Sequence, residues 1–211
     1  VSKGDNLEVS ISNGNISIST WEKEQAYIKA INIEDDDLQF LKIEQQGNKV
    51  IVDFKGQESD DFYLEVSIPT QFNLDISTGG GNIAVKGNIN GKVEVATGGG
   101  NIALKDVGDK LSVSTGGGNI SVENVNGVTE LSTGGGNINV KDVKSKIEVS
   151  TGGGNISIGN IGGNGEVSTA GGNISVGKVS GNADLNTAGG NINLDGANGK
   201  VEVNTAGGNL S

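Results

Sequence analysis

The amino-acid sequence predicts an all-β fold: a single-chain parallel β-solenoid with 18-residue coils and an irregular aromatic N-terminal cap. Three observations support this prediction. One motif recurs at an almost constant interval, apolar residues alternate within each interval, and the 211 residues include 37 glycines but a single proline. Abundant glycine without proline is typical of tight turns and not of collagen or proline-rich linkers.

The recurring motif is Thr-Gly/Ala-Gly-Gly-Asn, and its first interval is 19 residues while the six that follow are 18. A period this strict indicates stacked structural repeats. We predict that the threonines and asparagines of the motif form a structural turn ladder. Its members are Thr78, Asn82, Thr97, Asn101, Thr115, Asn119, Thr133, Asn137, Thr151, Asn155, Thr169, Asn173, Thr187, Asn191, Thr205 and Asn209.

Each repeat, numbered from its threonine, has apolar residues at positions 6, 8, 11, 15 and 17. In the second repeat these residues are Ile102, Leu104, Val107, Leu111 and Val113. Alternation at 6/8 and at 15/17 is the period of a half-buried strand, so each repeat contains two short strands, near 102–105 and 110–114. Two such strands cannot bury enough apolar surface alone, and the repeats must therefore stack as coils.

The motif glycines are expected to shape the turn. Position 2 is Gly in the first five copies and Ala in the last three (Ala170, Ala188 and Ala206), so we expect alanine to be tolerated there. Positions 3 and 4 are Gly in all eight copies. We therefore expect both to be sites of left-handed backbone or of close approach. The asparagine that follows can bond the neighbouring copies or close an Asx turn.

We predict one continuous domain with two regions, residues 1–77 as irregular N-terminal coils and cap, and residues 78–211 as the regular solenoid. Asn13–Ile18 imitates the repeat, with Ile11 in the place of the threonine, so position 1 should point inward. A strand is expected at 26–33 and a hairpin at 41–45 and 49–54. All seven aromatic residues precede residue 78, and we expect them to form the core of the cap.

Composition excludes several kinds of function. Cysteine, methionine and histidine are absent, and every basic residue is a lysine, which removes disulfides, thiolate or imidazole metal sites and Ser-His-Asp relays. The net charge of −11 opposes binding to nucleic acid or to anionic membranes. No apolar run is long enough to span a bilayer, so we expect no membrane insertion by this chain.

The pattern resembles a family of bacterial putative adhesins built of β-strand repeats, related to the head-GIN domains. The resemblance rests on the turn at Asn13–Ile18, on the strand that ends in Ile68-Pro69, and on the eight Thr-Gly/Ala-Gly-Gly-Asn copies. The resemblance implies a right-handed β-helix and an extracytoplasmic location, at the cell surface, in the periplasm or secreted. From the residues and the resemblance together we expect a non-catalytic structural or interaction module. Its partner would be an unknown protein or a cell-wall or glycan component, and end-to-end self-association is a further expectation.

The sequence offers two candidate chemical sites, a calcium site and a column of carboxylates. The Gly-rich motif resembles a calcium-binding β-roll, but a neutral Asn stands where that roll needs Asp. The acidic runs Glu34–Asp37 and Glu58–Asp61 leave calcium binding by a loop open. Position 16 forms an outward column: Glu94, Ser112, Glu130, Glu148, Glu166, Asp184 and Glu202. A uniform column lacks the distinct acid and base of a glycosidase. We predict no catalytic, cofactor or metal site, with a carbohydrate-active or carbohydrate-binding β-helix as the alternative.

Overall fold

The computed structural model describes residues 5–56 and 62–211, and the strands of these segments form two sheets. Sheet A contains β1 (Asn6–Ile11), β4 (Leu41–Gln46), β5 (Lys49–Phe54), β7 (Asn73–Thr78), β9 (Val93–Thr97), β11 (Leu111–Thr115), β13 (Thr129–Thr133), β15 (Ile147–Thr151), β17 (Gly165–Thr169), β19 (Ala183–Thr187) and β21 (Val201–Thr205). Sheet B contains β2 (Asn15–Trp21), β3 (Tyr27–Ile31), β6 (Tyr63–Pro69), β8 (Ile83–Val85), β10 (Ile102–Leu104), β12 (Ile120–Val125), β14 (Ile138–Val143), β16 (Ile156–Ile161), β18 (Ile174–Val179) and β20 (Ile192–Ala197).

The repeats stack as parallel coils, which confirms the predicted solenoid. Each coil supplies one strand to sheet A and one to sheet B, and each strand pairs in parallel with the equivalent strands of the coils beside it. Equivalent positions lie opposite one another, so that Thr115 pairs with Thr133 and Val113 with Leu131. The 18-residue period of the sequence is therefore the register of the ladder.

The core is a continuous aliphatic column between the sheets. Positions 6, 8, 11, 15 and 17 point inward in the regular coils, and the residues between them along each strand point outward. The register places Ile138 between Ile120 and Ile156, and this in-register stacking buries apolar surface that a lone coil would expose.

The single 19-residue interval has a local cause. Ile89 bridges Val107, which is 18 residues later, whereas Ile83 pairs with Ile102, which is 19 residues later. The extra residue therefore lies between β8 and Ile89, in the segment 86–88. A side chain at Gly87 would overlap Thr20 of the neighbouring coil, so this insertion is packed tightly.

In the N-terminal region the order of the strands in each sheet differs from their order along the chain. Strand β1 lies between β5 and β7, and β2 lies between β6 and β8, so the first coil is enclosed by later ones. Beyond it, β3 pairs with β6 and β4 pairs with β5, both in antiparallel fashion. Strands β3 and β4 are the outermost strands of the two sheets. The predicted hairpin at 41–54 is confirmed. The boundary predicted between residues 77 and 78 falls inside β7, and the division into two regions stays a prediction.

The prediction that all seven aromatics form cap core is wrong for some of them. Phe54, Phe62 and Phe72 are buried, and the rings of Phe54 and Phe62 stack with centroids 4.4 Å apart. Tyr27 and Phe40 are 52% and 45% exposed. They lie at the outer end of the cap, where β3 and β4 have no further strand to cover them.

Candidate functional site

The ladder threonines lie at the inner corner of each turn, as the alignment with Ile11 predicted. The Thr115 hydroxyl donates to the carbonyl oxygen of Gly100 in the preceding coil (2.9 Å) and accepts from the amide of Gly118 in its own turn (3.2 Å). The side chain is 6% exposed. The same two bonds occur at Thr97, Thr133, Thr151, Thr169, Thr187 and Thr205. Each of these hydroxyls therefore closes its own turn and ties it to the preceding coil.

The ladder asparagines lie on the outside of the turn and bond along the axis of the solenoid. The backbone and side-chain amides of Asn119 both donate to Oδ1 of Asn101, at 2.8 and 3.0 Å. Asn15 belongs to this ladder, because it accepts both amides of Asn82 at 3.0 Å. The sequence could have predicted this, because the alignment of Asn13–Ile18 with the repeat places Asn15 at the position of the motif asparagine. Since neighbouring coils occupy these amide oxygens, the ladder offers few free acceptors to a ligand.

The turn glycines differ from the expectation at positions 2 and 3. Within the described residues, positive φ occurs only at Asn32, Gly14 and Gly47, so none of the repeat glycines is left-handed. Position 4 is a site of close approach, because a Cβ on Gly118 would overlap the carbonyl oxygen of Gly100. The left-handed and close-approach expectation is wrong for Gly117, at position 3, because a methyl group there would meet no atom within 4 Å.

Position 2 is tight in the coils that carry glycine. The amide of Gly116 donates to the Thr97 carbonyl at 3.2 Å, and a Cβ there would overlap the Gly98 carbonyl. Among the described residues, the amides of Ala170, Ala188 and Ala206 make no equivalent bond. The alanine coils thus lose one hydrogen bond per turn, and the expected tolerance of alanine does not extend to the glycine coils.

A second ladder, absent from the sequence analysis, lies at position 10. The Asn124 side chain donates to Oδ1 of Asp106 (2.6 Å), and both amides of Asn160 donate to Oδ1 of Asp142 (2.8 and 2.9 Å). Oδ1 of Asn160 accepts from the Lys178 amide (3.3 Å). The signal was available, because Asp and Asn alternate at position 10 through four consecutive repeats.

This second ladder forms one wall of a groove with a volume of about 800 Å³, which we name the corner groove. It crosses six coils, at residues 88–90, 106–108, 124–126, 142–144, 160–162 and 178–180. At ~4.8 Å per coil it is about 24 Å long. Its floor lies at the backbone of Ile89, Val107, Val143 and Ile161, whose side chains point into the core, and amide, carboxylate, ammonium and hydroxyl groups form its walls.

The charges of the corner groove balance. Its two carboxylates, Asp106 and Asp142, are matched by the two ammonium groups of Lys144 and Lys178. This contrasts with the strongly acidic chain as a whole. The groove therefore suits an uncharged ligand with polar groups along its edges.

The carboxylate column of position 16 lies on the outer face of sheet A. Lysines of position 14 reach some members, with Lys146 Nζ 3.8 Å from Glu148 and Lys200 Nζ 3.1 Å from Glu202. Both glutamates are more than half exposed. Two carboxylates become a catalytic acid and base when their environments differ, and these environments repeat from coil to coil. The column has the form of a solvated surface.

The outer end of the cap has a smaller apolar groove of about 280 Å³, between β3 and β4. Ala26, Ile28, Ile43 and Val50 line it. Glu44 lies on its rim, and a hydrogen bond from Lys42 lowers the pKa of that carboxyl. Nearby, Lys23 Nζ lies 4.7 Å from the centre of the Trp21 ring.

Metal ligands do not converge in the described segments. Within residues 5–56 and 62–211, no three carboxylate side chains are grouped closely enough to hold a metal ion. Glu34–Asp37 lies in this part of the chain, and Glu58–Asp61 lies outside the described residues. The same segments contain no helix with the length and apolar character that crossing a bilayer requires.

The fold and the groove define a β-solenoid module with an extended polar groove along one corner. The chain belongs to the Toastrack DUF4097 family, whose profile matches residues 2–176. The resemblance to bacterial putative adhesins is thereby confirmed. A comparison with curated protein sequences found no match.

Two crystal structures show the same fold. One is a putative adhesin from Bacteroides fragilis NCTC 9343, 13% identical, with a TM-score of 0.53 over 100% of this chain and 93% of that chain. The other is a putative lipid binding protein from Parabacteroides distasonis ATCC 8503, 16% identical, with a TM-score of 0.60 over 100% of this chain and 94% of that chain. At these identities the likeness concerns the fold alone.

Proposed function

We propose that this protein is a non-catalytic, adhesin-like binding module of the bacterial cell envelope, and that the corner groove holds its surface or cell-wall partner. The observation that carries the proposal is the groove itself. It is concave, it crosses six coils, and it is built on strands whose register leaves little freedom. Rigid placement of weak polar contacts is how a repeat protein gains affinity without bond chemistry.

Location outside the cytoplasm is part of this proposal. Its support is the family resemblance, together with the adhesin designation of a relative of the same fold. Absence of catalysis is also proposed, and its support is the uniform environment of the position-16 column. Release of reducing sugar from a polysaccharide by the purified protein would contradict it and favour the alternative of a carbohydrate-active β-helix.

Lipid binding is the second candidate, because a solved relative is named a putative lipid binding protein and the cap has an apolar groove. The volume of the cap groove, about 280 Å³, lies just below the ~300–1,000 Å³ range of ligand pockets, whereas the volume of the corner groove lies well within that range. The acidic cap would also repel anionic headgroups. We therefore place the function in the corner groove.

The test is co-sedimentation of the purified chain with bacterial cell walls and, separately, with neutral phospholipid vesicles. Asn126 stands at position 12, between Gly108 and Lys144 of the adjacent coils, and is exposed. We expect Asn126→Leu to reduce cell-wall binding at least threefold, because it removes polar groups from the middle of the groove. Asn139→Leu, on the exposed outer face of sheet B, is the matched control and should bind as the wild type does. Binding to vesicles alone would favour lipid, and equal binding by both variants would remove the groove from the function.

A further inference from the structure

We propose that the corner groove binds a neutral linear glycan lengthwise, with one sugar unit for each coil. This inference rests on the proposed function, because it names the ligand of the same groove. It follows from three properties of the groove: its repeat distance, the chemistry of its walls and floor, and its balanced charge.

The repeat distance selects the kind of polymer. A ligand that lies along the groove meets equivalent groups every ~4.8 Å, and it can use all six coils only if its own repeat has nearly that length. An extended polypeptide advances ~3.3 Å per residue and falls out of step at the second coil. A sugar unit of an extended β-linked glycan advances by a length close to one coil and stays nearly in step.

The walls and floor match the two sides of a sugar ring. The position-10 ladder uses one oxygen of Asp106 and of Asp142, which leaves the second oxygen of each as an acceptor for a hydroxyl. Asn126 and Ser180 add groups that both donate and accept. The floor lies at the backbone of the position-11 residues, and Gly108 and Gly162 leave it without side chains at two coils, so a flat sugar ring can lie close against it.

The charge balance excludes other polymers. With two carboxylates and two ammonium groups in the groove, a polyanion gains no net attraction there and is repelled by the net charge of −11 on the chain. The groove contains no aromatic residue, so each sugar contributes little on its own. Affinity should therefore come from the number of coils occupied, and length dependence is the property that identifies this mode of binding.

The experiment is an NMR titration of the full chain with cello-oligosaccharides and with chito-oligosaccharides of two to six units. We expect amide shifts confined to the groove, at residues such as Gly108, Asn126 and Gly162, with an affinity that rises at each added sugar. Asn126→Leu should weaken binding of the six-unit probes at least threefold, and Asn139→Leu should leave it unchanged. Both variants lie at exposed positions, so retained amide spectra will show that they are folded.

Two outcomes would overturn the proposal. One is the absence of shifts with both six-unit probes at millimolar concentration, and the other is shifts that lie outside the groove or do not depend on length. These failures are distinct from failure of the proposed function. If cell-wall binding remains sensitive to Asn126→Leu while neither glycan binds, the groove keeps its role and its partner is a protein or peptide. If cell-wall binding is also lost or insensitive, both proposals fail.

Discussion

At the residue scale, the turn is controlled by a threonine hydroxyl and by the space between adjacent coils. From Thr97 onward the threonine oxygen accepts the amide of the position-4 glycine, and no repeat glycine has a positive φ. Where Ile11 replaces it, the equivalent glycine, Gly14, has a φ of +120°. The regular turn therefore needs glycine for close approach of the coils and not for left-handed backbone.

The first prediction compares two adjacent glycines. Gly118→Ala places a methyl group against the backbone carbonyl of Gly100, and overpacking of this kind costs about 1–3 kcal/mol. Gly117→Ala meets open space, so its effect should lie within about 0.5 kcal/mol of the wild type. Urea denaturation of the two variants measures both values. Equal destabilisation would show that the close approach at position 4 does not exist.

At the element scale, each turn is joined to the next by hydrogen bonds that no apolar side chain can replace. Thr133 donates to the Gly118 carbonyl at 2.8 Å and accepts the Gly136 amide at 3.2 Å, and both glycines are buried. Removing the hydroxyl leaves a donor and an acceptor without partners inside the protein. An unsatisfied buried polar group costs more than the bond itself contributes.

The second prediction is that Thr133→Val destabilises the protein by at least about 2 kcal/mol, since each orphaned buried group costs about 1–3 kcal/mol. Thr129→Val is the matched control. Thr129 is 1% exposed and lies between the aliphatic residues Leu111 and Ile147, and its hydroxyl makes one bond, to Gly127 in its own coil. We expect this variant to be neutral or slightly stabilised in thermal melts. A larger loss at Thr129 than at Thr133 would contradict the role assigned to the ladder hydroxyl.

The sequence predicted the regular coils because their register is a property of the period. Residues 18 apart that are chemically alike can bury a continuous core only if they stack, and Thr115 on Thr133 is the result. The insertion of β1 between β5 and β7 follows no period, since β5 and β6 lack the repeat motif. The corner groove was not predicted for another reason. It forms only when several coils stack, and within one repeat position 10 is simply an exposed polar residue.

At the scale of the whole molecule, the two ends of the solenoid differ. The cap end finishes in the antiparallel strands β3 and β4, which do not offer the parallel pairing that the coils use. The other end presents β21 and part of β20, with Val201 46% and Leu210 55% exposed. End-to-end self-association stays a prediction. Between the ends every coil has the same neighbours, so stability and groove length should both scale with the number of coils.

The final prediction uses this scaling. Deletion of residues 169–186 removes one whole coil and joins Ser168 to Thr187, so the following strands keep their register. We expect a folded protein that melts cooperatively at a lower temperature, because one set of coil contacts is lost. Deletion of residues 169–185 removes one residue fewer, so every later apolar position shifts by one and faces outward, and this variant should melt at a still lower temperature because its last coil cannot pack. The whole-coil deletion also removes the end of the corner groove at Lys178 and Ser180. The glycan affinity should therefore stop rising at a chain one sugar shorter than in the full protein. An unchanged dependence of affinity on glycan length would contradict the binding of one sugar unit by each coil.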